Sequence, residues 1–367
     1  MQSRIVLLVD LDYFFAQAEE TRNTSIKDKP VVVCVYSGRS EDSGAVSTAN
    51  YIARKLGVNS GMSISLAKRR LQNVDAVFLP VDDDFYGEIS KRIMSILRGF
   101  ADRFEQVGID EAYLDVSQRT KGSYEEAAQL GRRMKNEILI QQGLTCSIGI
   151  GPNKILAKIA ADIHKPDGLT AVRPEQVTEF LSPLPVDRLM GVGVKTGEKM
   201  RALGITTIGS LAKRDVQQLI EVFGKKLGLY FHNTSSGIDE EQVQEKTEVE
   251  SISRISTLKE NTRALRSILE KTDKQCEEVQ AELKQSSLTF KTVTTVAVMK
   301  DLSIRSRSRT LENKTDKVEV LKETARGLFE NLLDESRLEV RRVGVKVSGL
   351  AKDEKSQKQL TSFIGKD

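Results

Sequence analysis

The chain's pattern opens with an unbroken apolar run, Ile5–Val9, too short for a helix and suited to a strand buried on both faces. Two acids, Asp10 and Asp12, follow it at once. From Asp12 to Glu20 an Ala- and Glu-bearing stretch predicts a helix, and Pro30–Tyr36 predicts a second apolar strand closed by a Gly/Ser-rich turn. Ala49–Leu56 and Ser65–Leu71 predict short helices between glycines, Val77–Pro80 a strand, and Phe85–Phe104 an amphipathic helix. Gln106–Val116 reads as a hairpin broken at its middle by Asp110 and Glu111. Tyr124–Gln141 predicts a helix, Thr145–Ile150 a strand ended by Gly151-Pro152, and Asn153–His164 another helix. The outline is β-α-β-β-α-β with an inserted subdomain between the first two core strands.

Beyond residue 169 the pattern changes. Residues 170–237 are helical and glycine-punctuated, 238–250 form a connector poor in core residues, and 251–349 alternate strand-like pieces with two long amphipathic helices. Those pieces are Ser251–Leu258, Thr289–Leu302 and Leu338–Val347. Residues 350–367 are rich in Lys, Ser and Gln, which predicts a tail without structure of its own. The fold class is therefore α+β, in several domains.

Composition narrows the class of protein. With 367 residues, 39% hydrophobic and 29% charged, the chain is neither collagenous, low-complexity nor wholly disordered. Its longest apolar run near the N-terminus falls far short of the roughly 18 residues a membrane span needs, so no membrane association and a cytoplasmic location are expected. Three widely spaced cysteines and two histidines predict neither disulfides nor structural zinc. The net charge of +4 hides an uneven spread: residues 238–250 carry one base against six acids, whereas 170–237 carry nine against six and 251–349 carry twenty against fifteen. Two basic segments flank an acidic one, a weak pointer to nucleic acid.

Asp10 at a strand end and the Asp110-Glu111 pair inside an apolar hairpin put three carboxylates where buried side chains are otherwise expected. Carboxylates held close need a counter-charge, and oxygen-only ligation favours Mg²⁺ or Mn²⁺. Taken alone, the pattern equally fits strand-end acids in ordinary turns. Tyr51, Arg54 and Lys55 lie three or four apart and share a helical face suited to a triphosphate, and Lys165 adds a cation at a turn. No glycine pair is followed by Lys-Ser or Lys-Thr, so a P-loop is excluded.

Five ordered motifs, Val9-Asp10-Leu11-Asp12-Tyr13-Phe14-Phe15-Ala16, Ser43 through Tyr51 to Arg54, Ile109-Asp110-Glu111-Ala112-Tyr113-Leu114-Asp115, Gly149 to Lys154, and Lys158 through Asp162 to Lys165-Pro166, resemble the Y-family translesion DNA polymerases, most of all the archaeal DinB-type branch. The resemblance covers essentially the whole chain. It implies a right hand: a ferredoxin-like palm (1–13 and 78–169), small fingers (14–77), a helical thumb (170–237), a linker (238–250) and an α+β little finger (251–349), then a flexible tail (350–367). It implies template-directed, low-fidelity nucleotidyl transfer from a dNTP to a primer 3′-hydroxyl, with two Mg²⁺ per active site and Mn²⁺ as a substitute. Asp10, Asp110 and Glu111 match the metal ligands, with the Leu11 carbonyl as a further one. Tyr51, Arg54 and Lys165 match the triphosphate holders, supported by Thr48 and the backbone near Phe14. Phe15 matches the aromatic that excludes a 2′-hydroxyl, although close relatives often carry Tyr there. Leu11 replaces a common Phe, Ser63 a usual Pro, and the acidic connector departs from the basic linker of some relatives.

In the thumb segment, Met190 to Gly197 followed by Lys199 to Ile205 resembles a helix-hairpin-helix, with Lys195, Lys199 and Arg201 available to phosphates. Arg305, Arg307 and Arg309 alternate with serines and so share one strand face, and with Arg254, Arg341 and Arg342 they predict an arginine sheet surface for primer-template DNA. At the C-terminus Gln357, Leu360, Phe363 and Ile364 match the pattern that binds a PCNA-type sliding clamp. A monomer is expected. A palm-type nucleotidyl cyclase and a non-catalytic DNA-binding scaffold are the rival readings, and the helix-hairpin-helix with the arginine strand argues against the cyclase.

Overall fold

Residues Val6–Leu11 form β1, buried along its whole length. The structure, a computed structural model, describes residues 4–245 and 249–352. After β1 come α1 (Phe14–Arg22), β2 (Val31–Tyr36), β3 (Gly44–Ala49), α2 (Tyr51–Lys55), α3 (Ile64–Arg70), β4 (Val77–Pro80), α4 (Asp83–Gly99), β5 (Arg103–Gln106), β6 (Glu111–Asp115), α5 (Tyr124–Gln142), β7 (Cys146–Gly151), α6 (Lys154–Ile163) and β8 (Leu169–Ala171). The main sheet has the order β5-β6-β1-β7-β8, with β1 antiparallel to both neighbours. A smaller sheet, β3-β2-β4, pairs β2 with β4 in parallel.

Alternation along β1 assigns its side chains to two layers. Leu7, Val9 and Leu11 join the large core with Tyr86 and Leu97 of α4 and Met134 of α5. Val6 and Leu8 face the other way, against Tyr113 of β6 and Ala157 and Ala161 of α6. Asp10 continues this second row, so the acid at the strand end falls under α6. The helix can come this close only because β7 carries glycine: a Cβ on Gly149 would lie 2.0 Å from the Ala157 carbonyl oxygen and 2.3 Å from the Ala161 nitrogen.

The helices α7 (Val177–Leu181), α8 (Val194–Ala202), α9 (Ile208–Ala212), α10 (Val216–Phe223) and α11 (Lys225–Ser235) gather around Leu189, Met200, Ile208, Leu211 and Phe231. The C-terminal part is a second α+β layer: β9 (Ser251–Thr262), α12 (Leu265–Gln285), β10 (Leu288–Met299), β11 (Ile304–Thr315), α13 (Val318–Asp334), β12 (Val340–Ser348) and β13 (Ala351–Lys352). Its antiparallel sheet runs β11-β10-β12-β9, and α12 and α13 cover one face through Val279, Leu283, Leu321 and Ala325 packed on Phe290, Val293 and Val345.

The chain packs as two compact units: Met1–Cys34, Val46–Met62 and Leu66–Lys246 make the first, and Val35–Ala45, Ser63–Ser65 and Thr247–Asp367 the second. The turn between β2 and β3 thus belongs with the C-terminal sheet, and Arg39 shows why. Where β9 slips register against β12 between Thr257 and Thr262, Arg39 donates to the Leu258 carbonyl at 2.6 Å, the Asn261 side chain at 2.8 Å and the Arg341 carbonyl at 3.4 Å. Burial, and then the neighbouring Arg341, lower its basicity.

Three local expectations need correction. The helix expected to reach Phe104 ends at Gly99, and Arg103–Gln106 is an edge strand instead. The Gly/Ser-rich turn expected after Tyr36 gives way to a further strand before α2, Gly44–Ala49, which forms β3. The acidic connector is not core-poor: Val243 is fully buried with Val6, Leu8 and Tyr113, Glu241 pairs with Lys154 at 2.7 Å, and Glu245 pairs with Arg98 at 2.7 Å. A single valine and two ion pairs lay this polar segment on the first unit. Of the expected tail, Ala351–Lys352 pairs with Leu288 and Thr289.

Candidate active site

The β1/β6 register sets Asp10 directly opposite Glu111, and the Leu11 N–H donates to the Asp110 carbonyl at 2.9 Å. Backbone pairing therefore draws Asp10 to two adjacent acids about one hundred residues further along the chain. Asp10 is only 7% exposed. Burial, reinforced by Asp10 and Glu111, raises the Asp110 carboxyl above the ordinary Asp range, which is the signature of like charges crowded in a poorly solvated place.

Two ammonium groups answer that charge. Lys158, on α6 directly over Asp10, reaches its Oδ2 at 2.9 Å and Glu111 Oε1 at 2.9 Å. Lys165, on the turn after α6, reaches Asp10 Oδ1 at 2.6 Å and Asp162 at 3.0 Å. Burial by itself would lower both amines; Asp10, with Glu111 for Lys158 and Asp162 for Lys165, overcomes it and holds them above the usual lysine range. Among the described residues no three acidic, His or Cys side chains are drawn into a ready metal cage. What exists is a set of hard oxygen donors with lysines between them, a donor chemistry that fits a hard divalent cation.

Asp12, which the sequence pattern left without a role, fixes the Lys165 turn. It is 1% exposed, and its carboxylate accepts from Ser147 at 2.7 Å, Thr145 at 2.9 Å and the Asp167 backbone N–H at 2.8 Å. Lys135 completes the tie, donating to the Cys146 carbonyl and to Asp167, each at 2.6 Å. These contacts join β7 to the turn that presents Lys165.

The aromatic residues after β1 are placed by a left-handed turn at Tyr13, φ 36°. Phe14 enters the core, while Phe15 is half-buried and stacks on Tyr86 with ring centroids 4.2 Å apart. Tyr13 meets Tyr51 edge-on at 5.3 Å, and the Arg54 guanidinium lies 4.9 Å over the Tyr51 ring while donating to the Ala49 carbonyl at 2.8 Å. Asn50 caps α2 by accepting from the Ala53 N–H at 2.9 Å and also binds Glu20 at 2.8 Å. Burial, and then Asp12 and Asp10, raise the Tyr51 hydroxyl's pKa, while Arg54 and Lys165 pull against that rise. Tyr51 and Arg54 therefore share one electrostatic environment with the acids and Lys165. Thr48 lies on β3 just before them, and Lys55 is exposed.

The expected cations for DNA are divided. On α8, Lys195 is exposed, whereas Lys199 donates to the Val222 carbonyl at 2.6 Å and Arg201 pairs with Asp187 at 2.8 Å. Arg305, Arg307 and Arg309 do share a face, but the register sets them opposite Ala297, Thr295 and Val293, the side covered by helices. Arg307 binds Glu335 at 3.1 Å. Arg254, opposite Val345, lies on that same side and binds Glu282 at 2.7 Å. Arg342, opposite Val298, lies on the other face, which is lined by Thr294, Ser308 and Lys346. A single arginine sheet surface is therefore not what forms, because strand parity splits the set. Gln357, Leu360, Phe363 and Ile364 lie outside the described residues.

With this geometry in place, comparisons with known proteins converge. The impB/mucB/samB family matches residues 9–162, its C-terminal domain matches 249–362, and the thumb domain described for DNA polymerase-iota matches 187–239. The chain is 44% identical to DNA polymerase IV of Nitrosopumilus maritimus over 99% of its own length and all of that protein's, and 44% identical to DNA polymerase IV 1 of Methanosarcina mazei with the same coverage. Among solved structures, a Y-family DNA polymerase chimera of Dbh and Dpo4 superposes with a TM-score of 0.90 at 38% identity, over 95% of this chain and all of that one. An insertion ternary complex of Dbh DNA polymerase gives 0.68 at 38% identity with the same coverage.

The three hydrogen bonds into Asp12 lead to a stability test. Asp12→Ala strands two hydroxyls and a backbone N–H in a buried place, and is expected to cost about 2–4 kcal/mol in urea unfolding. An unchanged unfolding midpoint would remove Asp12 from this role.

Proposed function

The chain belongs to the impB/mucB/samB family of Y-family DNA polymerases, and from that premise we propose how its own residues divide the work. It is a DNA-directed DNA polymerase of translesion synthesis, and its family works with divalent metal ions. The observation that supports the assignment of residues best is the crowding of Asp10 at the end of β1, Glu111 at the start of β6 and Asp110 in the bend just before it, with the Asp110 carboxyl pushed up by burial and by its neighbours.

On this reading Asp10, Asp110, Glu111 and the Leu11 carbonyl hold two Mg²⁺ ions, with Mn²⁺ as a substitute. A divalent metal held there would supply Lewis acidity toward the primer 3′-hydroxyl and positive charge toward the phosphoryl group and the leaving pyrophosphate. The protein's own part is positioning. Tyr51 and Arg54, braced by the Asn50 cap and the Ala49 carbonyl, hold the triphosphate of the incoming dNTP together with Lys165, whose turn Asp12 fixes. Thr48 and the backbone at Phe14 support them. The Phe15 ring, made rigid by its stack on Tyr86, lies under the sugar and excludes a 2′-hydroxyl. Primer-template DNA is held through the exposed Lys195 and Arg309 and the partly exposed Arg305, Arg341 and Arg342, with Lys199, Arg201, Arg254 and Arg307 contributing after exchange of their present partners. The C-terminal Gln357–Ile364 segment tethers a PCNA-type clamp, and the enzyme is a low-fidelity, cytoplasmic monomer.

Primer extension tests the core of this reading. Asp110→Ala is expected to lower nucleotide addition by about 10³-fold or more while leaving primer-template affinity within a few-fold of wild type; addition at near wild-type rate would overturn the ligand assignment. For Phe15→Ala the ratio of kcat/KM for deoxyribonucleotides over ribonucleotides should fall by about tenfold or more, and a constant ratio would return Phe15 to a packing role. Deleting residues 357–367 should preserve unassisted extension and abolish stimulation by a PCNA-type clamp, so full stimulation of the truncated chain would dismiss the tether.

A further inference from the structure

Lys158 has no part in the assignment above, yet it bridges two of the three acids. Its ammonium spans Asp10 and Glu111 at 2.9 Å each, and its side chain is only 21% exposed. The helix that carries it cannot retreat or slide without leaving the glycine seat, since Ala157 and Ala161 touch Gly149 on either side of it. Lys158 therefore stands at a fixed place over the acids, and only its side chain can move.

A divalent cation held by Asp10 and Glu111 would take lone pairs that the ammonium now occupies, and two cations in one small site repel. A second acid offers Lys158 a place to go. Asp162 lies one helical turn further along α6, the spacing at which side chains meet, and at present it binds Lys165 at 3.0 Å. We propose that Lys158 is a resident placeholder cation: it holds the Asp10–Glu111 pair together in the free enzyme, competes there with divalent metal, and moves to Asp162 when Lys165 leaves that acid for the nucleotide's triphosphate. Metal loading is thereby linked to nucleotide arrival through an exchange of lysine partners. The proposal rests on Asp10 and Glu111 being metal ligands.

The test uses the full chain without DNA or nucleotide and Mn²⁺ alone, with binding followed by electron paramagnetic resonance. Lys158→Gln is expected to bind Mn²⁺ about tenfold more tightly, the effect of removing one neighbouring like charge, whereas Lys158→Arg keeps the wild-type affinity. An affinity for Lys158→Gln that is unchanged or weaker would overturn the placeholder, since loss of a merely structural ion pair loosens a site rather than strengthening it. In a second titration with saturating dNTP added, so that Lys165 is drawn from Asp162, Asp162→Asn should weaken Mn²⁺ binding in the wild-type background and have no effect beside Lys158→Gln; equal weakening in both backgrounds would overturn the exchange with Asp162. Asp10→Asn separates the two levels: if it leaves Mn²⁺ binding intact, the ligand assignment itself fails, whereas lost binding with an unchanged Lys158→Gln affinity fails only the placeholder. Should Lys158→Gln not fold, Mg²⁺ titration of wild type labelled with ¹³C at lysine Cε supplies the answer. The Lys158 resonance must move with the midpoint of metal binding, and a resonance that stays in place overturns the proposal.

Discussion

Three carboxylates crowded at the end of two paired strands, in a sheet covered on both faces, repel one another with little water to screen them, and the surrounding structure is arranged around that repulsion. Hydrogen-bond register alone brings Asp10 against Glu111, so the cluster cannot be relaxed without breaking the central strand pair. The cover over it must then be cationic, and it must come near. Gly149 permits the nearness by giving up a side chain where α6 crosses β7, and the helix answers with Lys154, Lys158 and Asp162 at intervals of four along an otherwise apolar surface. Each member of that row meets a different acidic or basic partner: Glu105 and Glu241, then Asp10 and Glu111, then Lys165.

The same physics explains what could be read from the sequence. Acids that interrupt apolar strand patterns are conspicuous, so Asp10, Asp110 and Glu111 stood out, and the three-residue interval from Tyr51 to Arg54 gave a shared helical face. Asp12 was visible beside Asp10 but took no role, because its partners, Ser147, Thr145 and the Asp167 N–H, are neutral and distant in the chain. Lys158 was legible only as a motif letter: the four-residue row of polar positions in Lys154–Ile163 was its signal, but the partner acids belong to strands whose pairing no local pattern specifies.

The arginines show the opposite case. Strand alternation correctly grouped Arg305, Arg307 and Arg309, yet alternation says only that residues share a face, not which face. The facing strand decides that, and β10 presents Val293, Thr295 and Ala297 on the side of the helices. Likewise the acidic composition of residues 238–250 concealed Val243, since one fully buried valine among polar neighbours leaves no periodicity.

Arg39 carries a consequence for anyone who would transplant parts of this enzyme. The carbonyls of Leu258 and Arg341, at a place where two strands fall out of step, are completed by a guanidinium supplied from a hairpin more than two hundred positions earlier in the chain. Nearby, an added Cβ at Gly44 would lie 2.2 Å from the Val35 carbonyl oxygen, so this hairpin tolerates little variation in its own shape. A graft that takes the C-terminal sheet from one relative and everything before it from another severs a hydrogen-bonded seam, although its cut would look clean on a linear map. The heritable module is discontinuous: the short hairpin at 35–45 travels with the distant sheet, and swaps that respect this pairing keep the irregular strand edge whole.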